Sequence, residues 1–162
     1  MNDKKICSFP GMYEELVSFI EEFQLLRSDL WERFVQQFKE DSDYDAGWRC
    51  EYWGKMMRGA CFVYSYSQNP RLYEVLTATV KDLLSAQDEL GSYAVSHEFD
   101  GWDLWGRKYV LLGMQYYLEI CQDEEFKETI VKSMCHQVDY LISKIGDPKD
   151  GKILITRATR HW

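Results

Sequence analysis

The sequence predicts an all-α fold built from repeated helix hairpins, and three observations carry that expectation. GWRCEYWGKMMRG from Gly47 returns as GWDLWGRKYVLLG from Gly101, an echo at a constant offset of 54 residues. At that offset Gly47 and Trp48 match Gly101 and Trp102, Gly59 matches Gly113, Gln68 and Asn69 match Gln122 and Asp123, and Leu72 matches Phe126. A unit of that length is too long for one helix and suits a pair of helices that buries its apolar face only against neighbouring copies. Apolar residues also recur at threes and fours along the chain, interrupted by only 3 Pro and 10 Gly.

Each element follows from local signals. Pro10 and Gly11 open an amphipathic helix in which Met12, Leu16, Phe19, Ile20, Phe23 and Leu26 form the apolar face and Glu14, Glu15, Glu21 and Glu22 the opposite one. Ser28-Asp29 caps a second helix carrying Leu30, Trp31, Phe34, Val35 and Phe38, which ends in a polar loop from Lys39 to Asp45. The first repeat helix is expected over Glu51 to Tyr66, stopping at Ser67-Gln68-Asn69-Pro70, because proline opens a helix but cannot continue one. Leu72, Val75, Leu76, Val80, Leu83 and Leu84 give the return helix its face. A turn at Gly91 and an exposed stretch from Ser92 to Gly101 lead to the second copy, Trp102 to Cys121, and its return helix, Glu124 to Ile145. Gly146-Asp147-Pro148 stops that helix, and a β-branched run, Ile153 to Thr156, precedes a basic end at Arg157, Arg160 and His161.

Composition narrows the class of protein. A chain of 162 residues suits one domain, here a single helical domain over 1–162 with repeats at approximately 47–100 and 101–154. A hydrophobic content of 46% and an aromatic content of 15% supply ample core, so the chain is globular rather than disordered. The net charge of -8 argues against nucleic acid, whose phosphates need a concentrated basic surface. The odd number of cysteines, with no CxxC pair, suggests neither a disulfide framework nor a zinc knuckle, but buried free thiols in a reducing compartment. With no apolar leader after Met1 and no run of about 18 apolar residues, the expectation is a cytoplasmic protein without membrane contact.

Tryptophans interleaved with charges open both repeats: Trp48, Glu51, Trp53 and Lys55 in the first, Trp102, Asp103, Trp105, Arg107, Lys108 and Tyr109 in the second. Flat aromatic faces stack on the C–H face of a sugar ring while charged groups bind its hydroxyls, so this mixture suits a carbohydrate site. The same residues also suit the packing of a hairpin, with the charges solvated or paired among themselves. Glu51 and Asp103, at matching ends of successive repeats, are the natural pair for acid and base work in glycoside hydrolysis, although acidic residues at helix starts also simply favour the helix dipole. His97, His136 and His161 show no metal-ligand spacing, and neither a glycine-rich phosphate loop nor a GxSxG elbow is present.

WRCEYWGKMMRGACFVYSYSQNPRLYEVL followed by WDLWGRKYVLLGMQYYLEICQDEEF resembles the N-terminal part of the β-L-arabinofuranosidase-like glycoside hydrolases (family 127, six-hairpin glycosidase-like). The resemblance runs from about Asp29 to Trp162. It implies an α/α toroid, of which this chain would be an incomplete part, with helix hairpins ringed around a sugar pocket. Carried onto this sequence, the family positions fall on Trp48, Glu51, Trp53, Gly54, Lys55, Trp102, Asp103, Trp105, Arg107, Lys108, Tyr109 and Gly113, and His161 would stand where the next hairpin begins. The family's cysteine nucleophile, its zinc ligands and its acid/base glutamate lie in later parts of the toroid. The resemblance therefore implies a truncated fragment without the catalytic region and inactive alone, with carbohydrate as partner and with zinc only in a full-length relative. The expectation from another class is a non-catalytic helical module that binds a partner protein or itself through the open end of the array.

Overall fold

The computed structural model describes residues 11–39, 48–93 and 101–152, with backbone alone at 48–50, 101 and 102. The described elements are helical: α1 (Met12–Ile20), continued by a π-helical turn at Glu21–Leu25, α2 (Ser28–Lys39), α3 (Trp48–Ser67), α4 (Pro70–Leu84), α5 (Gly101–Ile120), α6 (Glu124–Lys144) and a short 3₁₀ turn at Pro148–Asp150. The all-α class expected from the repeat is what the chain adopts, as three successive hairpins, α1/α2, α3/α4 and α5/α6. The run Ile153 to Thr156 and His161 lie outside the described residues.

The two repeats close their hairpins with the same device. Asn69 caps α4 by accepting the Arg71 backbone N–H at 3.0 Å, with Pro70 as the first helical residue, and Asp123 caps α6 by accepting the Phe126 N–H at 3.0 Å. Both caps sit at the repeat offset. The helices run slightly further than the periodicity indicated, α3 beginning at Trp48 and α5 at Gly101, while α6 stops at Lys144.

Contacts between α3 and α5 are the most extensive in the fold, and they advance in step along both helices. Glu51 meets Trp105, Lys55 meets Tyr109, Phe62 packs on Tyr116 at 5.3 Å and Tyr64 accepts from Gln122. The helices are therefore parallel and in register, one repeat beside the next. Gly54 makes this possible: a β-carbon there would lie 1.9 Å from the carbonyl oxygen of Tyr109. Gly113 lies against Gly54 and the Trp53 ring, whereas its repeat partner Gly59 faces open space. The two glycines matched by sequence hold equivalent positions on parallel helices, and only Gly113 meets the other repeat.

The core lies between the row α1, α3, α5 and the row α2, α4, α6. Trp31, Val35 and Phe38 of α2, Trp53, Met57 and Tyr64 of α3, Leu72, Leu76, Val80 and Leu83 of α4, and Val110, Met114 and Tyr117 of α5 fill it. Each such side chain stabilises the fold by about 1.5–3 kcal/mol relative to exposure. Polar tips are bonded inside: Trp31 Nε1 donates to the Leu25 carbonyl at 2.8 Å, Trp53 Nε1 to Thr79 Oγ1 at 3.1 Å, and the Tyr93 and Ser133 hydroxyls pair at 2.8 Å.

Two local expectations are corrected. Most of the apolar face assigned to the first helix points outward, with Met12, Leu16, Phe19 and Phe23 exposed, whereas Ile20 and Leu26 pack against the core and Glu21 and Leu25 are buried. The π-helical turn adds a residue to the helical repeat, with Leu26 N–H reaching back to the Glu21 carbonyl at 2.9 Å, and Glu21 accepts from the Asn69 side chain. The stretch after Gly91 is not exposed at its start. Ser92 and Tyr93 are buried, and Gly91 reaches them with a φ of 85° that favours glycine.

Candidate functional site

The first turns of two parallel helices bring one carboxylate, two lysines and two aromatic rings together. Glu51, on α3, is 5% exposed. One of its carboxylate oxygens accepts the Trp105 indole N–H at 2.7 Å, and the other accepts from Lys55, one turn on. Trp105 meets Tyr109 edge to face, at 5.1 Å between ring centres. Lys108 places its ammonium 3.2 Å from the centre of the Trp105 ring and 4.5 Å from that of Tyr109, and Lys55 lies 4.9 Å over Tyr109 from the other helix. Burial and, secondarily, the nearby charge of Lys55 push the Lys108 ammonium below its ordinary range. The result is an electropositive aromatic ledge, anchored from below by the buried carboxylate of Glu51.

Trp53, Asp103 and Arg107, although part of the same sequence motifs, do not reach this ledge. Trp53 is fully buried between α3 and α4. Asp103 and Arg107, 1% and 2% exposed, form a two-pronged ion pair with contacts of 2.6 and 3.0 Å. The same guanidinium donates to Ser92 Oγ and the Tyr93 carbonyl and stacks 4.8 Å from the Tyr140 ring. This network ties the segment after Gly91 to α5 and α6. Glu51 and Asp103 are thus each paired with a basic residue one turn on along their own helix.

The tryptophan motifs look alike in sequence, yet their rings diverge, and the cause is a small slip. Trp53-Gly54 and Trp105-Gly106 are 52 residues apart, whereas the repeat offset is 54, so the structural counterpart of Trp105 is Glu51 and that of Trp53 is Arg107. Two residues turn a helix by roughly 200°. One tryptophan therefore enters the core and the other lies half-buried beside α3. The side chains of Trp48 and Trp102, and His161 altogether, lie outside the described residues.

Sequence reasoning passed over Ser92, Tyr93 and Tyr140, which only the Arg107 network reveals. Cys61 and Cys121 are buried free thiols and Cys135 is exposed. Among the described residues no three of His, Cys, Asp and Glu gather as a metal site, and no described helix is long and apolar enough to cross a membrane.

Fold and ledge together define an all-α protein of parallel helix-hairpin repeats. No protein-family model, curated protein or solved structure matches the chain.

Proposed function

We propose that this chain is part of the wall of an α/α-toroid glycoside hydrolase acting on arabinofuranose-containing glycans, with catalysis supplied by residues outside it. The observation that carries the reading is the ledge at matching ends of two parallel helices, where Trp105 and Tyr109 lie beside Lys55 and Lys108. Such a surface offers an apolar face for stacking on a sugar ring and cations that donate to its hydroxyls. Glu51 acts as a positioning residue, fixing the Trp105 ring through its indole N–H. The resemblance of both tryptophan segments to the arabinofuranosidase-like hydrolases supports the substrate class.

Titration with L-arabinose and methyl arabinofuranosides, followed through the indole N–H resonances of the full chain, tests this reading. A saturable shift of the Trp105 signal that disappears in Tyr109→Ala, with helicity retained, is the expected result. Unperturbed indole signals at high millimolar sugar would overturn it.

A further inference from the structure

The two ends of the hairpin array carry surfaces that complement each other in shape class and charge. At one end, α1 and its π-helical continuation expose Met12, Leu16, Phe19 and Phe23, a stripe at spacings of four, three and four. Phe19 and Phe23 pack together at 4.8 Å, flanked by exposed Glu15 and Glu22. No lysine or arginine occurs between Met12 and Leu25. At the other end, α5 and α6 enclose a groove of about 910 Å³ floored by leucines of α5 and by Val131, Met134 and Val138 of α6. Arg58 and Lys108 edge it, and Asp139 is the carboxylate among its lining residues.

The repeat explains why the groove exists. The face of α3 that receives α5 presents Glu51, Gly54, Lys55 and Arg58. Advanced by 54 residues, these positions become Trp105, Lys108, Tyr109 and Leu112, three of which line the groove. Trp105 and Tyr109 already reach back to α3, whereas Lys108 and Leu112 face the groove, so the open flank of α5 repeats part of the docking face one repeat later. Where Gly54 allows backbone contact, Lys108 holds an incoming helix further off, which leaves a groove to be filled by bulky apolar side chains.

We propose that a second copy of this chain fills it: the acidic, aromatic face of α1 from one protomer docks in the α5/α6 groove of the next, extending the row α1, α3, α5 head to tail. Such contacts are heterologous, so they close into a ring or run on as an open assembly according to the rotation between protomers. Burial of the α1 stripe removes an exposed apolar surface of the kind that marks interaction sites, and the Glu15 and Glu22 carboxylates meet the Arg58 and Lys108 cations. Lys108 and Tyr109 also belong to the sugar ledge, so the test uses residues outside it.

Sedimentation equilibrium of the full chain and two exposed-site variants decides the matter. The wild type is expected to associate with rising concentration and more weakly with rising salt. Phe19→Asp, which spoils α1, and Val138→Asp, which spoils the groove, should each weaken association at least tenfold. Mixed in equal amounts they should form a two-chain complex and go no further, since each retains the surface the other lacks. Leu16→Asp and Val131→Asp replace either variant if circular dichroism shows it to be unfolded. A wild type that stays monomeric at hundreds of micromolar, a variant that still associates alone, or a mixture that stays monomeric would each overturn the proposal.

Discussion

Glu51 and Trp105 occupy the same position in successive repeats and are bonded directly, the indole N–H donating to the carboxylate at 2.7 Å. A repeat thus contacts its neighbour through equivalent positions that carry complementary chemistry. Trp105→Phe keeps the ring and removes the donor, leaving a nearly buried carboxylate short of one partner. A loss of about 1–3 kcal/mol in urea unfolding is expected. A double-mutant cycle with Glu51→Gln should give a coupling of about 0.5–3 kcal/mol, and a coupling near zero would show that the contact contributes nothing.

Gly54→Ala is expected to be far more damaging than its size suggests. The added carbon would lie 1.9 Å from a backbone oxygen of Tyr109, so no rotamer change relieves it and α5 must move as a body. Overpacking of this kind costs about 1–3 kcal/mol or more. Gly59→Ala, whose added carbon meets open space, is the control and should be neutral or slightly stabilising through helix propensity. Thermal unfolding of the pair measures the contrast.

Removing one partner of the Asp103–Arg107 pair leaves a charge buried without compensation. Asp103→Ala should cost about 3–5 kcal/mol. Arg107→Lys is not expected to substitute, because an ammonium cannot reproduce the two-pronged contact while also reaching Ser92 and the Tyr93 carbonyl. Hydrogen exchange should show the segment around Ser92 and Tyr93 opening first in both variants.

Burial pushes the Tyr93 phenol up to about 12, a rise that its bond to Ser133 only partly offsets. Burial, with a smaller contribution from Glu119, pushes the Cys61 thiol up to about 12 as well. Both groups are neutral when protonated, and the unfolded chain releases their protons at lower pH than the folded one. Above the unfolded values of about 8.5 for a thiol and 10 for a phenol, the unfolded state binds fewer protons, so stability falls as pH rises. The stability is complete below about pH 8 and is lost progressively towards pH 12. Cys61→Ala should flatten the onset of this decline and Tyr93→Phe its upper part, as read from urea midpoints at stepped pH.

Helix hairpins and the turns that close them were legible because they depend on neighbours in sequence. Asn69 and Asp123 act within three residues of themselves, and Pro70 needs only its own ring. The ledge was half legible: Glu51, Lys55, Trp105, Lys108 and Tyr109 were named from the tryptophan-and-charge motifs of the repeat and from the family resemblance, together with Trp53, Asp103 and Arg107, which lie buried away from it. Nothing local distinguishes the two sets, since the difference lies in which flank of each helix meets another layer. The outward turn of Phe19 and Phe23 escaped the periodic pattern for a similar reason, because Glu21 finds its partner, Asn69, 48 residues further along the sequence.

By itself, the sequence determined the number and order of the hairpins, their ends and their repeat, because these follow from local propensity and a 54-residue echo. Only the tertiary structure decided which tryptophan is core and which is left half-buried. A two-residue slip between the tryptophan motifs is small in the sequence, yet it rotates one side chain to the far side of its helix. The close approach of α3 and α5 at Gly54 then fixes which side that is.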